Sequence, residues 1–217
     1  MAGWMSTYLQ GKIADEVLGG AAFAAPATVY VALFTALPTA KAGTGGTEAT
    51  GGSYARVAVT NNTSNWNDYA AGVKSNKTDF AFTQATASWG EIQGYGLYDS
   101  SSAGNLLFAG PLTAASKGFT ALGSSDVITC YAHGYSDTNT VFVEASVPAA
   151  LPSGLNNYTK YFVRDASTDT FKLSLTSGGA AIDIGNGCGL VAKVAAQTVD
   201  NENTAKFLAG TLQIKMY

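Results

Sequence analysis

Charged side chains are scarce in this chain, at 12% of residues, against an average near ~25% for soluble domains. Twelve Lys and Arg stand against fifteen Asp and Glu, for a net charge of −3. The basic residues are scattered, which excludes nucleic-acid binding, because phosphate neutralisation needs clustered cations. Histidine occurs once, at His133. It precedes Gly134 in a turn-like context, so a hydrolytic triad has no convincing base. The two cysteines, Cys130 and Cys188, are too few for a disulfide framework or a zinc site. They read either as small buried hydrophobes or as a pair if their strands are neighbours. No apolar run approaches the ~20 residues needed to cross a bilayer. The N-terminus lacks the basic start and apolar centre of a signal peptide, since Lys12, Asp15 and Glu16 interrupt it. The expectation is synthesis in a cytoplasm without export by the usual route.

Chemistry-bearing motifs are equally sparse. No His, Cys or carboxylate cluster has ligand spacing, so no metal and no cofactor is expected. No dinucleotide fingerprint is present, and the Gly-rich residues 39–53 lack the Gly-Lys-Ser/Thr ending of a phosphate loop. Asp165, Asp169, Asp183, Asp200 and Glu202 sit near turns, where such side chains normally cap their own backbone. Two carboxylates facing each other across a cleft are the one route left to glycoside hydrolysis.

What is abundant is glycine, at 25 residues, together with Thr, Ser and Asn; hydrophobic residues make up 47%. A packed core with many tight turns follows. Residues 4–18 read as one helix, with Met5, Leu9, Ile13 and Val17 at i+4 spacing and Gly19-Gly20 as its stop. Lys12 and Asp15 are spaced to pair on it. From Pro26 the period changes to 2. Thr28–Phe34 is apolar on both faces, as a strand buried between layers is. Further strands are expected at Tyr54–Thr60, Phe80–Phe82, Ile92–Tyr98, Leu106–Ala109 and near the C-terminus, where Leu208, Leu212, Ile214 and Met216 alternate with polar residues. Gly94 and Gly96 suggest a bulge or close strand packing.

Residues 116–195 read as a separate β module, with strands at Asp126–Tyr131, Thr140–Val147, Lys160–Asp165, Phe171–Thr176 and Leu190–Val194. The expected organisation is a discontinuous domain, 1–115 plus 196–217, carrying this inserted module. The expected fold is all-β: an antiparallel β-sandwich, jelly-roll-like, with one N-terminal helix. Aromatic residues in polar segments, namely Trp66, Tyr69, Tyr131, Tyr135 and Tyr158, are the candidate contacts for a glycan or a partner subunit. Core packing is the alternative for each.

Several blocks carry a resemblance. They are Pro26–Thr35 followed by Pro38, then Gly51-Gly52-Ser53-Tyr54-Ala55-Arg56-Val57, Ala87-Ser88-Trp89-Gly90, Gly94-Tyr95-Gly96-Leu97-Tyr98-Asp99, Gly104–Gly110 and Phe207–Leu212. In this order they resemble a family of small tailed-bacteriophage structural proteins, described as tail fibre, minor tail or head-decoration proteins. The resemblance covers about residues 5–115 and 197–217. The intervening segment resembles a second module of phage fibres and adhesin-like proteins. The resemblance implies a virion component without catalytic activity: an oligomeric tail fibre or fibre-attachment protein, trimeric by analogy. Capsid decoration, a head fibre and a receptor- or glycan-binding module are the alternatives. Other virion proteins and a host receptor would be its partners.

Overall fold

The computed structural model describes residues 3–38, 43–146, 149–157 and 159–215. It divides into two compact units, Thr113–Ala195 and Ala2–Leu112 with Ala196–Tyr217. Before the division the chain forms β1 (Trp4–Met5), α1 (Thr7–Val17), β2 (Thr28–Ala36), β3 (Thr47–Glu48), β4 (Val57–Thr60), β5 (Val73–Ser75), β6 (Phe80–Ala81), β7 (Gly90–Ile92), β8 (Gly94–Tyr98) and β9 (Leu106–Pro111). The inserted unit holds β10 (Lys117–Leu122), β11 (Val127–Thr129), β12 (Thr140–Glu144), β13 (Lys160–Arg164), β14 (Thr170–Ser174) and β15 (Gly187–Lys193). The returning chain adds β16 (Gln197–Val199), β17 (Lys206–Phe207) and β18 (Gln213–Lys215). The named strands pair antiparallel throughout, and the all-β expectation with one helix holds.

In the discontinuous unit, β2 is the spine of a six-stranded sheet ordered β1-β9-β8-β2-β3, with β4 also on β2. Its β-branched and aromatic run buries Val31, Ala32, Leu33 and Phe34, as a strand covered on both faces requires. Three ribbons, β5–β18, β6–β17 and β7–β16, each join an early segment to the returning chain. Phe80, Ile92, Val199, Phe207 and Ile214 from these ribbons share one core with Val29, Val31 and Leu33 of the sheet. Gly96 faces Phe34 so closely that an added Cβ would lie 2.6 Å from its ring, and the β8–β9 register shifts between Leu97 and Tyr98. Close packing and an irregularity therefore both occur at the glycine-interrupted strand.

The helix starts later than its periodicity suggests. Trp4 and Met5 pair with Ala109 and Phe108 of β9, and Ser6 caps α1 by accepting the Leu9 N–H. Its C-terminus closes as a Schellman motif: Gly19 takes φ +85° and the Gly20 N–H donates to Asp15 O at 2.6 Å. Of the i+4 stripe only Leu9 is buried; Ile13, Val17 and the adjacent Leu18 are exposed. Lys12 lies 5.7 Å over the Tyr8 ring. The C-terminal alternation is broken as well. Gly210 at φ +79° turns the chain between β17 and β18, so Leu208 points outward while Leu212 and Ile214 are buried. Met216 lies outside the described residues.

The inserted unit is a closed barrel ordered β10-β11-β14-β13-β12-β15. β12, β13 and β14 are consecutive neighbours and β15 returns beside β12, a Greek-key path. Inward residues alternate along each strand: Phe119, Ile128, Val141, Val143, Tyr161, Val163, Phe171, Leu173 and Val191 fill the interior. The strand β10 was not legible in the sequence, because only Phe119 and Ala121 mark its buried face. The two cysteines are free. Cys188 lies on β15 and Cys130 follows β11, and β10 runs between those strands. Thr113 bridges Val194 where the chain enters and leaves the barrel.

The amide of Asn76 holds the discontinuous unit closed. It is fully buried, its Nδ2 donates to Thr78 O and Leu208 O at 2.8 Å each, and its Oδ1 accepts the Leu212 N–H at 2.9 Å. Substitution Asn76→Ala strands these buried groups. It should lower unfolding free energy in urea by about 3 kcal/mol; a change within about 0.5 kcal/mol would show that the amide is dispensable.

Candidate functional site

The blocks that stand out in the sequence converge on one partly buried network. Arg56, on the segment leading into β4, donates from Nε and Nη2 to the two oxygens of Glu48 on β3, at 2.9 and 2.7 Å. Its Nη1 donates to Ser100 O and Ala103 O in the β8–β9 turn, and the guanidinium stacks 3.6 Å from the Tyr98 ring centroid. The Tyr54 hydroxyl donates to Glu48 and accepts the Leu33 N–H, each at 2.9 Å. Burial drives the Tyr54 pKa well above the ordinary phenol range, against the Leu33 N–H, and Glu48 adds to the rise. Burial works against the charge of Arg56, but hydrogen bonding and attraction to Glu48 hold its pKa above the ordinary value. Trp89 packs edge-on against Tyr54 at 5.2 Å and donates its indole N–H to Gly52 O. In the same turn Asp99 accepts both the backbone and the side-chain N–H of Asn105 at 2.7 Å. Glu48, Tyr54, Arg56, Trp89, Asp99 and Asn105 each have a side-chain hydrogen bond inside the fold. The network ties the β8–β9 turn and the Tyr54 segment to β3.

The candidate aromatic residues separate. Trp66 is buried in the core, edge-on to Phe80 at 5.2 Å, and presents no face to a partner. Tyr69 is half exposed. Tyr158 lies outside the described residues. Tyr131 and Tyr135 share one turn of the barrel, between β11 and β12. Tyr131 is 78% exposed, the largest exposure of an aromatic ring among the described large hydrophobic residues. Tyr135 is half-buried against His133 and Phe171, and burial, then Cys130, pushes its pKa up to about 12. Burial also raises the Cys130 thiol, so it stays protonated at neutral pH.

The turn is held from several sides. Cys130 donates its N–H to Asp169 O, and the Asp169 carboxylate accepts the Ala132 N–H at 2.7 Å. The Lys117 ammonium donates to Ala132 O. His133 is buried, and its Nδ1 accepts the Tyr135 N–H at 2.8 Å. Lys117 and Asp169 lie 15 and 37 positions from Ala132, a separation that no spacing rule reveals. The strand order puts this turn at the end of the barrel where the chain enters and leaves; the exposed Leu122 and Leu175 belong to the opposite end. Among the described residues no group of three or more His, Cys, Asp or Glu could hold a metal ion. None of the described helices is long and apolar enough to cross a membrane.

Compared with known proteins, residues 4–134, more than half of the chain, match the family described as podophage GP4 fiber I protein gp80. The chain belongs to this family of podophage fibre proteins. The match takes in the helix, the six-stranded sheet and the Arg56 network, and runs on through β10 and β11 to Gly134 at the Tyr131 turn. The later barrel strands and the returning C-terminal segment lie outside it. No curated protein matches this podophage fibre chain.

Within the fibre protein, Arg56→Lys keeps the charge but loses the two-pronged grip on Glu48 and the flat stack on Tyr98. The expected cost is about 2 kcal/mol of stability, read by urea unfolding. The Arg56 side chain is only 7% exposed, so the loss should persist in high salt. A variant as stable as the parent would remove the network from the account of the fold.

Proposed function

We propose that this podophage fibre protein is a structural, non-catalytic subunit of the virion, acting as an oligomeric tail fibre or fibre-attachment protein, with a trimer as the favoured assembly. Family membership carries the reading. Two features of the fold support it. The discontinuous unit bears an uncharged surface on α1, where Ile13, Val17 and Leu18 are exposed beside Ala14 and Met5. Apolar surface of this kind favours burial against another protein, so this unit is the part that docks on the particle. The barrel has its own closed core and is reached through a paired neck at Thr113 and Val194. A domain inserted this way leaves its parent intact and suits a projecting role.

Quantitative mass spectrometry of purified virions separated into heads and tails tests the assignment. A few copies per particle in the tail fraction are expected. Hundreds of copies on heads would favour capsid decoration or a head fibre instead, and absence from both would remove the virion reading.

The excised segment 113–195 should fold alone, because its six strands close on themselves and bury their own core. A cooperative thermal transition with dispersed amide resonances is the expected result. An unfolded peptide would show that the barrel depends on the rest of the chain.

A further inference from the structure

The first and last strands of the barrel, β10 and β15, pair with each other, from Lys117 with Val191 to Ala121 with Gly187. Closing the barrel therefore brings the entering and leaving chain side by side. The contact continues past the strands. Thr113 bridges Val194, and the Ala114 N–H donates to Lys193 O at 2.9 Å. The barrel core draws only on its own residues, from Phe119 to Val191, so this closure needs nothing from the discontinuous parent unit.

The parent unit has the opposite problem. Its last strands, β16, β17 and β18, meet partners far back in sequence. Hydrogen bonds span 111 positions between Ser88 and Val199 and 136 between Asn76 and Leu212. Each ribbon is two or three residue pairs long and marginal alone. Gln197 pairs with Ile92, Lys206 with Ala81 and Gln213 with Ser75, so the partners recede along the chain as the returning segment advances. The three ribbons are one interrupted antiparallel zipper. Its first rung lies beside the neck: Leu112, next to Thr113, donates its N–H to Gln93 O at 2.8 Å, and Gln93 follows Ile92. Its far end is the Asn76 lock on Leu208 and Leu212.

We infer that the barrel is an in-chain clamp that folds first and starts the closure of the parent unit, the returning segment zipping from β16 to β18. With Thr113 held against Val194, the loop that Gln197 must close to reach Ile92 shrinks from the whole insert to a few residues. Closure probability falls with about the 3/2 power of loop length, so the clamp strongly favours the first rung. Each later ribbon closes only a short further loop. The parent core, which includes Val199, Phe207, Leu212 and Ile214, is thus completed in a chain whose barrel has already folded. This inference does not depend on where the fibre sits in the virion.

The test follows refolding of the full chain from urea. Trp4, Trp66 and Trp89 are the three tryptophans of the chain and all are buried in the parent unit, so tryptophan fluorescence reports that unit alone. Pulsed hydrogen exchange reports the barrel amides, which should be protected before the tryptophan signal recovers. A flexible Gly/Ser segment of about 40 residues inserted between Ala195 and Ala196 keeps both units but releases the clamp. It should slow tryptophan recovery roughly thirtyfold. The same segment inserted after Gly178, in an exposed turn of the barrel, leaves the clamp intact and should keep the rate within about twofold. Tryptophan recovery ahead of barrel protection overturns the inference. So does an insertion at Ala195 that slows recovery less than about twofold, the effect of lengthening an unclamped loop of this size. A Gly178 insertion that slows recovery as much as the Ala195 insertion does also overturns it.

Discussion

Asn76 does for the discontinuous unit what a disulfide does elsewhere. Its side chain and backbone engage Leu208, Gly210 and Leu212, residues more than 130 positions away. Loop closure over such a distance is entropically unfavourable, and the barrel lies within the loop. The returning chain contributes only short strands, each paired with an equally short partner. Such ribbons are marginal alone. They hold because a buried amide with its donors and acceptors met locks the last of them into register, and because Phe207, Leu212 and Ile214 then complete the core. The sheet around β2 has a covered face only once this has happened.

The Arg56–Glu48 pair works on the same principle where β3 and β4 meet β2. A charge drawn largely out of water is stable when paired and hydrogen-bonded. Here the pair also fixes two turns: Glu48 orients Tyr54, and Arg56 grips the carbonyls of Ser100 and Ala103. These motif residues are therefore a framework for holding loops.

A fibre subunit has two physical requirements that pull apart. It must present surface that other virion proteins bury, and it must keep an outward part from sticking indiscriminately. Under the proposed function, the uncharged face of α1 meets the first. The barrel meets the second by closure, since a closed sheet has no strand edge to recruit another chain.

Much of the strand pattern was legible from residues 26–110, because a half-buried strand writes its period of two into the sequence and Gly marks its turns. β2 and the glycine-interrupted β8 were readable on those grounds, as was the existence of an inserted β segment. The helix was readable, but its packing was not. Met5, Leu9, Ile13 and Val17 form a stripe by spacing, yet pairing of Trp4 and Met5 with β9 turns most of that stripe outward. β10 and the outward turn of Leu208 were hidden for a similar reason: short strands carry too few residues to show a period. The aromatic candidates mark the boundary most sharply. Composition and local context selected Trp66, Tyr69, Tyr131, Tyr135 and Tyr158 as equals. Only the tertiary structure put Trp66 in the core and Tyr131 in the open, because burial and side-chain meetings across the barrel depend on strand order. By itself the sequence determined an all-β chain, poor in charge, with an inserted module and family motifs. Strand order was left to the tertiary structure, since pairing between distant segments is decided by which whole set of contacts buries the most apolar surface and leaves the fewest polar groups unmet.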